Sequence, residues 1–147
     1  MEIGVNHQIN HSANEWSQWI SQVAKRYQIK CHQHTVMLSN PHSHIEEQAR
    51  ALRWATFKNH IIENTLLLLA QHQDDQIETF LMRLYRGGSL HALSGIPEHR
   101  ICNRGLCVRP WLNLSKRSII DYAKQHNLIW IEDESNRDLR FYRNRIR

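Results

Sequence analysis

Residues 65–85 read TLLLLAQHQDDQIETFLMRLY, a short apolar run joined directly to an amphipathic segment. The run from 65 to 70 is too short for a helix and is typical of a strand buried on both faces in a parallel sheet. After it, Ile77, Phe80, Leu81, Leu84 and Tyr85 recur at helical spacing, and the pair Gly87-Gly88 predicts the helix end. A buried strand followed at once by a helix is the repeating unit of α/β folds.

The rest of the chain continues this alternation of helices and strands. A capping-box pattern, Ser12-Ala13-Asn14-Glu15, begins a segment with apolar residues at helical spacing. The patterns predict helices over 12–27, 45–62 and 115–126, strands over 29–38 and 128–131, and irregular chain over 97–110. The sequence therefore predicts an α/β fold with a mainly parallel sheet flanked by helices, in a single domain spanning residues 1–147.

The composition excludes several classes of protein. Of 147 residues, 41% are hydrophobic and 22% are charged, as in ordinary globular domains. The longest apolar run, residues 66–70, is far shorter than the ~20 residues of a membrane span, and residues 1–12 contain no signal-peptide core. We therefore expect a cytoplasmic protein with no membrane partner. Three cysteines without a CxxC pair argue against a disulfide framework and a four-cysteine zinc site.

Positive charge is concentrated at the C-terminal end. Residues 1–99 carry 8 Lys and Arg against 9 Asp and Glu, whereas residues 100–147 carry 11 against 5. The basic segment 137–147 contains Arg137, Arg140, Arg143, Arg145 and Arg147, with Phe141 and Tyr142 among them. Arginines interleaved with aromatic residues suit a phosphate backbone and stacked bases. A solvated basic helix end explains the same composition, so this pattern leaves both interpretations open.

The residues with the clearest chemical potential follow the apolar run. His72, Asp74, Asp75 and Glu78 stand where a strand gives way to a helix, which is where open α/β sheets bind ligands. Asp75 and Glu78 are three residues apart and share one helix face. These carboxylates could hold a primary amine, coordinate Mg²⁺ or accept a proton. Alternatively, Asp74 or Asp75 is the helix N-cap and Glu78 is its capping-box partner.

Several segments resemble, in the right order, the tRNA(Ile)-lysidine synthetase family of the N-type ATP pyrophosphatase (PP-loop) group. The longest is residues 67–96, LLLAQHQDDQIETFLMRLYRGGSLHALSGI. The others are residues 6–9, similar to the end of the family's second strand; 46–54, similar to its E-x-x-AR-x-x-RY helix; 109–112, similar to its RPL strand; and 130–136 and 143–147, similar to its EDxSN and RNxIR elements.

The resemblance implies a Rossmann-like PP-loop ATPase domain and a defined reaction. ATP adenylates the C2 oxygen of the wobble cytidine of tRNA(Ile), and the ε-amine of free lysine then displaces AMP to form lysidine, with ATP as co-substrate and Mg²⁺ as its expected companion. It implies catalytic roles for His72, Asp75, Glu78 and Arg147. It implies substrate contacts for Arg50, Arg53, Asp74, Asn136, Arg143 and Arg145.

One element of the family pattern is missing from this sequence. The ATP-cradling SGGxDS loop would precede Asn6, and Arg86-Gly87-Gly88-Ser89 is a helix end that lacks its Asp. The family also continues beyond RNxIR into further tRNA-contacting domains. The resemblance therefore describes an incomplete catalytic domain. We expect these residues alone to bind ATP weakly or not at all, because backbone N–H groups of such a loop hold phosphate.

Two other functions fit the same residues. A noncatalytic RNA-binding α/β module would keep the scaffold and the basic C-terminal end, and a PP-loop relative that acts on a small molecule would make that charge incidental. The sequence contains eleven histidines, among them the pair His32-x-His34. No Cys or carboxylate stands at zinc-site spacing beside that pair, so we expect no metal ligands among the site residues.

Overall fold

The computed structural model describes residues 1–40, 43–89, 92–133 and 142–146. The chain forms two compact units, Met1–His60 and Ile61–Arg147. Each unit contains a parallel strand pair and helices, which confirms the predicted α/β class. No helix in the described part of the chain is long and apolar enough to span a membrane.

The unit Met1–His60 is a strand, helix, strand crossover followed by a second helix. Strand β1 (Glu2–Asn6), helix α1 (Ala13–Arg26), strand β2 (Cys31–Thr35) and helix α2 (Ile45–His60) follow in order. β1 and β2 pair in parallel, with Glu2 opposite Cys31 and Asn6 opposite Thr35. Parallel strands need such a long crossover, which α1 supplies. α1 begins where predicted, although the Ser12 side chain makes no capping hydrogen bond because its ψ of 2° is not extended.

The unit Ile61–Arg147 is arranged around a three-stranded sheet. Its elements are β3 (Leu66–Leu68), α3 (Gln73–Tyr85), β4 (His99–Cys102), β5 (Gly105–Val108) and α4 (Lys116–Gln125), with single 3-10 turns at Ala92–Ser94 and Tyr142–Arg145. The strand order is β3-β5-β4, with β3 parallel and β4 antiparallel to β5. α3 ends as predicted, with Gly87 at a φ of 68° and the N–H of Gly88 donating to the carbonyl of Arg83 at 2.8 Å.

The prediction of irregular chain over 97–110 is wrong, because β4 and β5 form a hairpin there. Its turn is Asn103-Arg104, with Asn103 at a φ of 54° and its side-chain amide donating to the Ile61 carbonyl at 2.8 Å. Gly105 lets β5 approach Thr65, since a Cβ there would overlap the Thr65 carbonyl oxygen. The expected strand at 109–112 is wrong for a related reason, because β5 ends at Val108 and the chain then turns.

Two further strand predictions need correction. Residues 128–131 contain no regular secondary structure, since no ladder partner lies beside them among the described residues. β3 forms, but it is three residues long, and Leu66 and Leu68 are 55% and 60% exposed. The strand is therefore not buried on both faces, because only the opposite face is covered by the described residues.

Candidate active site

The candidate site lies where β3 ends and α3 begins. The N–H of Leu69 donates to the Val108 carbonyl at 2.9 Å, which continues the pairing with β5 one residue past β3. Residues 70–72 then lead into α3 without a long loop. The carboxyl end of a parallel strand followed by a helix N-terminus is a common ligand-binding position in α/β sheets. The structure places all four predicted residues of this motif at that position.

His72 is the N-cap of α3, and Asp75 is its capping-box partner. Oδ2 of Asp75 accepts a hydrogen bond from the backbone N–H of His72 at 2.8 Å. This bond satisfies a backbone donor at the helix start, and the negative charge stabilises the positive end of the helix dipole. The alternative, in which Asp74 or Asp75 is the N-cap and Glu78 is its partner, is therefore wrong, because the N-cap lies two or three residues earlier in the chain. Asp75 nevertheless has a capping role.

The His72 ring lies between two aspartates. Its Nδ1 is 3.8 Å from Oδ1 of Asp74, and its Nε2 is 3.7 Å from Oδ2 of Asp75. Both distances are longer than a hydrogen bond allows. Nδ1 is buried and has no hydrogen-bond partner within the described ranges. The ring is thus close to two carboxylates, and its buried Nδ1 is an unsatisfied polar atom of the site.

The three carboxylates of the motif have different environments. Glu78 is 4% exposed and Asp75 is 9% exposed, and both lie on the same face of α3. The Asp74 side chain is 45% exposed, and its Oδ1 accepts the N–H of Lys116 at 3.0 Å. Asp74 therefore stabilises the start of α4. Asp75 and Glu78 form the buried acidic pair of the site.

Hydrogen bonds from distant residues hold the start of α3 in place. The N–H of Gln73 donates to the Leu114 carbonyl at 2.9 Å, beside the bond between Asp74 and Lys116. Nε of Arg109 donates to Oε1 of Gln71 at 2.5 Å. The segment from 71 to 75 is thereby attached to the chain that follows β5. Its geometry depends on this tertiary contact as well as on its own cap.

Arg109 is a site-forming residue to which the sequence analysis assigned no role. It is 4% exposed, and its Nη1 also donates to the Pro97 carbonyl at 2.7 Å. A buried guanidinium needs such partners, since leaving it without hydrogen bonds is costly. The sequence does contain a sign of this role, because Arg109 directly follows the apolar residues 106–108, where a buried side chain is expected.

A second set of hydrogen bonds holds residues 92–96 along α3. The Gln76 side chain donates to the Ile96 carbonyl and accepts the Ile96 N–H, both at 2.6 Å. Nη1 of Arg83 donates to the carbonyls of Ala92 and Gly95 at 2.6 and 2.8 Å. This segment is therefore ordered by α3 itself and lies beside the acidic pair's helix.

The remaining predicted residues lie in other parts of the chain. Arg50 and Arg53 are exposed on α2, in the other unit. Arg145 lines a cavity of about 350 Å³ with Leu81, Tyr85 and Ile146, near the last turns of α3 rather than its start. Asn136, Arg147 and the side chain of Arg143 lie outside the described residues.

His7, directly after β1, is a second residue for which the sequence analysis proposed no function. Both of its ring nitrogens are buried, and neither has a hydrogen-bond partner in the described part of the chain. Burial, together with the nearby positive charge of Arg53, lowers the pKa of His7 below 6.5. The shift favours the neutral ring, which has one donor and one acceptor nitrogen.

The chemistry that the site supports is the binding of a cation and the removal of a proton. Two buried carboxylates, one of them beside an imidazole, can hold an ammonium group and can accept its proton if it reacts as an amine. Thiol chemistry has little support, because burial raises the pKa of Cys107 and disfavours its thiolate. Among the described residues, no three His, Cys, Asp or Glu side chains are arranged to hold a metal ion.

Comparisons with known proteins agree on one family. The family model described as "PP-loop domain" matches residues 1–147. The chain is 40% identical to the tRNA(Ile)-lysidine synthase of Coxiella burnetii over 144 residues, covering 97% of the chain and 32% of that protein. It is 38% identical to the synthase of the same name from Photobacterium profundum over 146 residues, covering 99% of the chain and 34% of that protein. The chain thus spans about a third of the length of these curated relatives.

Proposed function

We propose, because the chain belongs to the PP-loop domain family, that residues 1–147 form part of the catalytic domain of an ATP-dependent ligase that attaches lysine to tRNA(Ile). The observation that carries the proposal is the buried pair Asp75 and Glu78 on α3, with Asp75 beside His72, after the carboxyl end of a parallel strand. The names of these relatives, tRNA(Ile)-lysidine synthase, support the choice of tRNA as substrate and of lysidine as product.

The reaction explains why a buried acidic pair is needed. An oxygen on a pyrimidine ring is a poor leaving group until it is joined to a phosphate, so ATP first adenylates the C2 oxygen of the cytidine. Free lysine then attacks C2 through its ε-amine, and AMP leaves. Lysine binds as a cation but reacts as a neutral amine, so one environment must both attract the charge and remove a proton.

Asp75 and Glu78 meet both requirements in this proposal. A carboxylate offers about four lone-pair positions, so Asp75 can accept the His72 N–H and also accept from an ammonium group. Glu78 is the more buried of the two and is not part of the helix cap. His72 contributes its free Nδ1 as a polar contact. Asp74 has a secondary role in substrate binding, because it is engaged with the start of α4.

The arginines have supporting roles in the proposal. Arg50, Arg53 and Arg147 stabilise charge around the phosphates, Asn136 donates a hydrogen bond, and Arg143 and Arg145 bind the tRNA backbone. Mg²⁺ would accompany ATP and neutralise phosphate charge, and it would need only one or two carboxylates from the protein. This fits a site in which no three ligand side chains converge among the described residues. The reaction takes place in the cytoplasm.

A chimaeric enzyme tests the proposal. Residues 1–147 replace the matching third of the Coxiella burnetii relative, and pyrophosphate release and incorporation of labelled lysine into tRNA(Ile) are measured. We expect both activities to require ATP and tRNA(Ile), and we expect the Glu78→Gln chimaera to lose lysine incorporation.

Other results would favour another function. Binding of tRNA without pyrophosphate release, in a chimaera that folds like its parent, would favour a noncatalytic RNA-binding module. Pyrophosphate release that needs no tRNA would favour an enzyme acting on a small molecule.

A further inference from the structure

Three histidines to which the proposed function assigns no role gather in the unit Met1–His60. His32 and His34 alternate on β2 and therefore share one face, and His60 is the last residue of α2. Nε2 of His34 lies 2.8 Å from Nε2 of His60, and the two ring centroids are 4.9 Å apart. The His32 and His60 ring centroids are 5.5 Å apart.

The contact between the two Nε2 atoms has a specific chemical meaning. One ring donates a hydrogen through Nε2 and the other accepts it through a lone pair, so the two Nε2 atoms face one shared space. A metal ion can take the place of that shared hydrogen if both rings present Nε2 without a proton. Imidazole nitrogen is the ligand preferred by borderline divalent ions such as Zn²⁺, Ni²⁺ and Cu²⁺.

The distance suits this replacement after a small movement. Two nitrogens bound to one tetrahedral Zn²⁺ at about 2.0 to 2.1 Å lie about 3.3 to 3.4 Å apart. The observed 2.8 Å therefore needs to increase by roughly half an ångström. All three rings are partly exposed, so the site is open to an ion from solvent.

We propose that His34 and His60 form a two-histidine site for a borderline divalent metal ion, with water completing the coordination. A third protein ligand is not required, which agrees with the lack of any preformed three-ligand group within the described ranges. The site connects β2 to the end of α2, so the ion stabilises this unit by mass action. The spacing of His32-x-His34 did not indicate it, because the partner is 26 residues beyond His34.

The test is a titration of the 147-residue chain, free of any affinity tag, with ZnCl₂ at pH 7.5. Binding is followed by calorimetry and by the imidazole resonances of His34 and His60 in NMR spectra. We expect one Zn²⁺ to shift or broaden those resonances and MgCl₂ at the same concentration to leave them unchanged, since Mg²⁺ prefers oxygen ligands.

Variants decide whether the binding belongs to this pair. His34→Gln and His60→Gln should each weaken Zn²⁺ binding at least about tenfold, because loss of even an outer-shell partner commonly costs that much. His99→Gln, which changes an exposed histidine on β4, should leave the affinity unchanged. If His60→Gln alters the circular dichroism spectrum, the conclusion rests on the affinity of His34→Gln. Unchanged affinity in His34→Gln, or equal loss in His99→Gln, would overturn the proposal.

Discussion

Replacing Asp75 with asparagine or alanine separates its helix-capping role from its proposed role in lysine transfer. Oδ2 of Asp75 accepts the backbone N–H of His72 at 2.8 Å, and its side chain is 12% exposed. Asparagine keeps an oxygen that can accept this bond but has no negative charge. Alanine loses both the bond and the charge.

The stability changes follow from these contacts. A lost capping bond costs about 1 kcal/mol, and a lost charge at a helix N-terminus costs about 0.3 to 1 kcal/mol. We therefore expect Asp75→Ala to lower the free energy of unfolding by about 1.3 to 2 kcal/mol and Asp75→Asn by less than about 1 kcal/mol. Urea unfolding followed by circular dichroism measures both.

Asp75→Asn, which should change stability little, should nevertheless reduce activity strongly if Asp75 takes part in lysine transfer. If Asp75 holds the ammonium group and takes its proton, Asp75→Asn should reduce lysine incorporation by at least about a hundredfold, the scale of general-base catalysis. Adenylation of the tRNA needs no lysine and should fall much less. Both steps are measured in the chimaera, with Asp121→Asn as the control, since the Asp121 side chain is exposed on α4 and lies 3.9 Å from the also exposed Arg117.

One result would refute this reasoning about Asp75. If Asp75→Asn transfers lysine at the parental rate while Asp75→Ala loses about 1 to 2 kcal/mol of stability, Asp75 is a helix-capping residue alone. The acidic function would then belong to Glu78, and the Glu78→Gln chimaera shows whether it does.

Three further predictions concern other contacts. Arg109→Met should destabilise the chain by about 2 to 4 kcal/mol, because it leaves the acceptors on Gln71 and Pro97 unpaired, whereas exposed Arg117→Met should change stability little in the same urea titration. The pKa of His7 is lower in the folded chain than in the unfolded chain, so the unfolded chain binds more protons and stability should fall as the pH drops below about 6.5. His7→Gln should reduce this loss of stability between about pH 7.5 and 5.5. An unchanged pH dependence in His7→Gln would contradict the prediction. Gly105→Ala should cost about 1 to 3 kcal/mol by forcing β5 away from Thr65, and a melting temperature equal to that of the parent would show that the strand accommodates a Cβ.

The sequence by itself determined the helices and the class of the fold. α1, α2, α3 and α4 lie close to the predicted ranges, because apolar spacing and terminal residues act within a few turns of one segment. The same local signals placed the acidic motif after a strand and at the start of a helix. The hairpin of β4 and β5 was not predicted, because whether a short strand forms depends on its pairing partner and not on its own sequence alone.

Only the tertiary structure decided how the site is assembled. Arg109 reaches Gln71 across 38 residues, and Lys116 reaches Asp74 across 42. The proposed metal pair joins His34 to His60 across 26 residues. No local pattern encodes these contacts, since they depend on how strands and helices pack together. Burial then distinguishes Asp75 and Glu78 from the exposed Asp74, although all three read alike in the sequence.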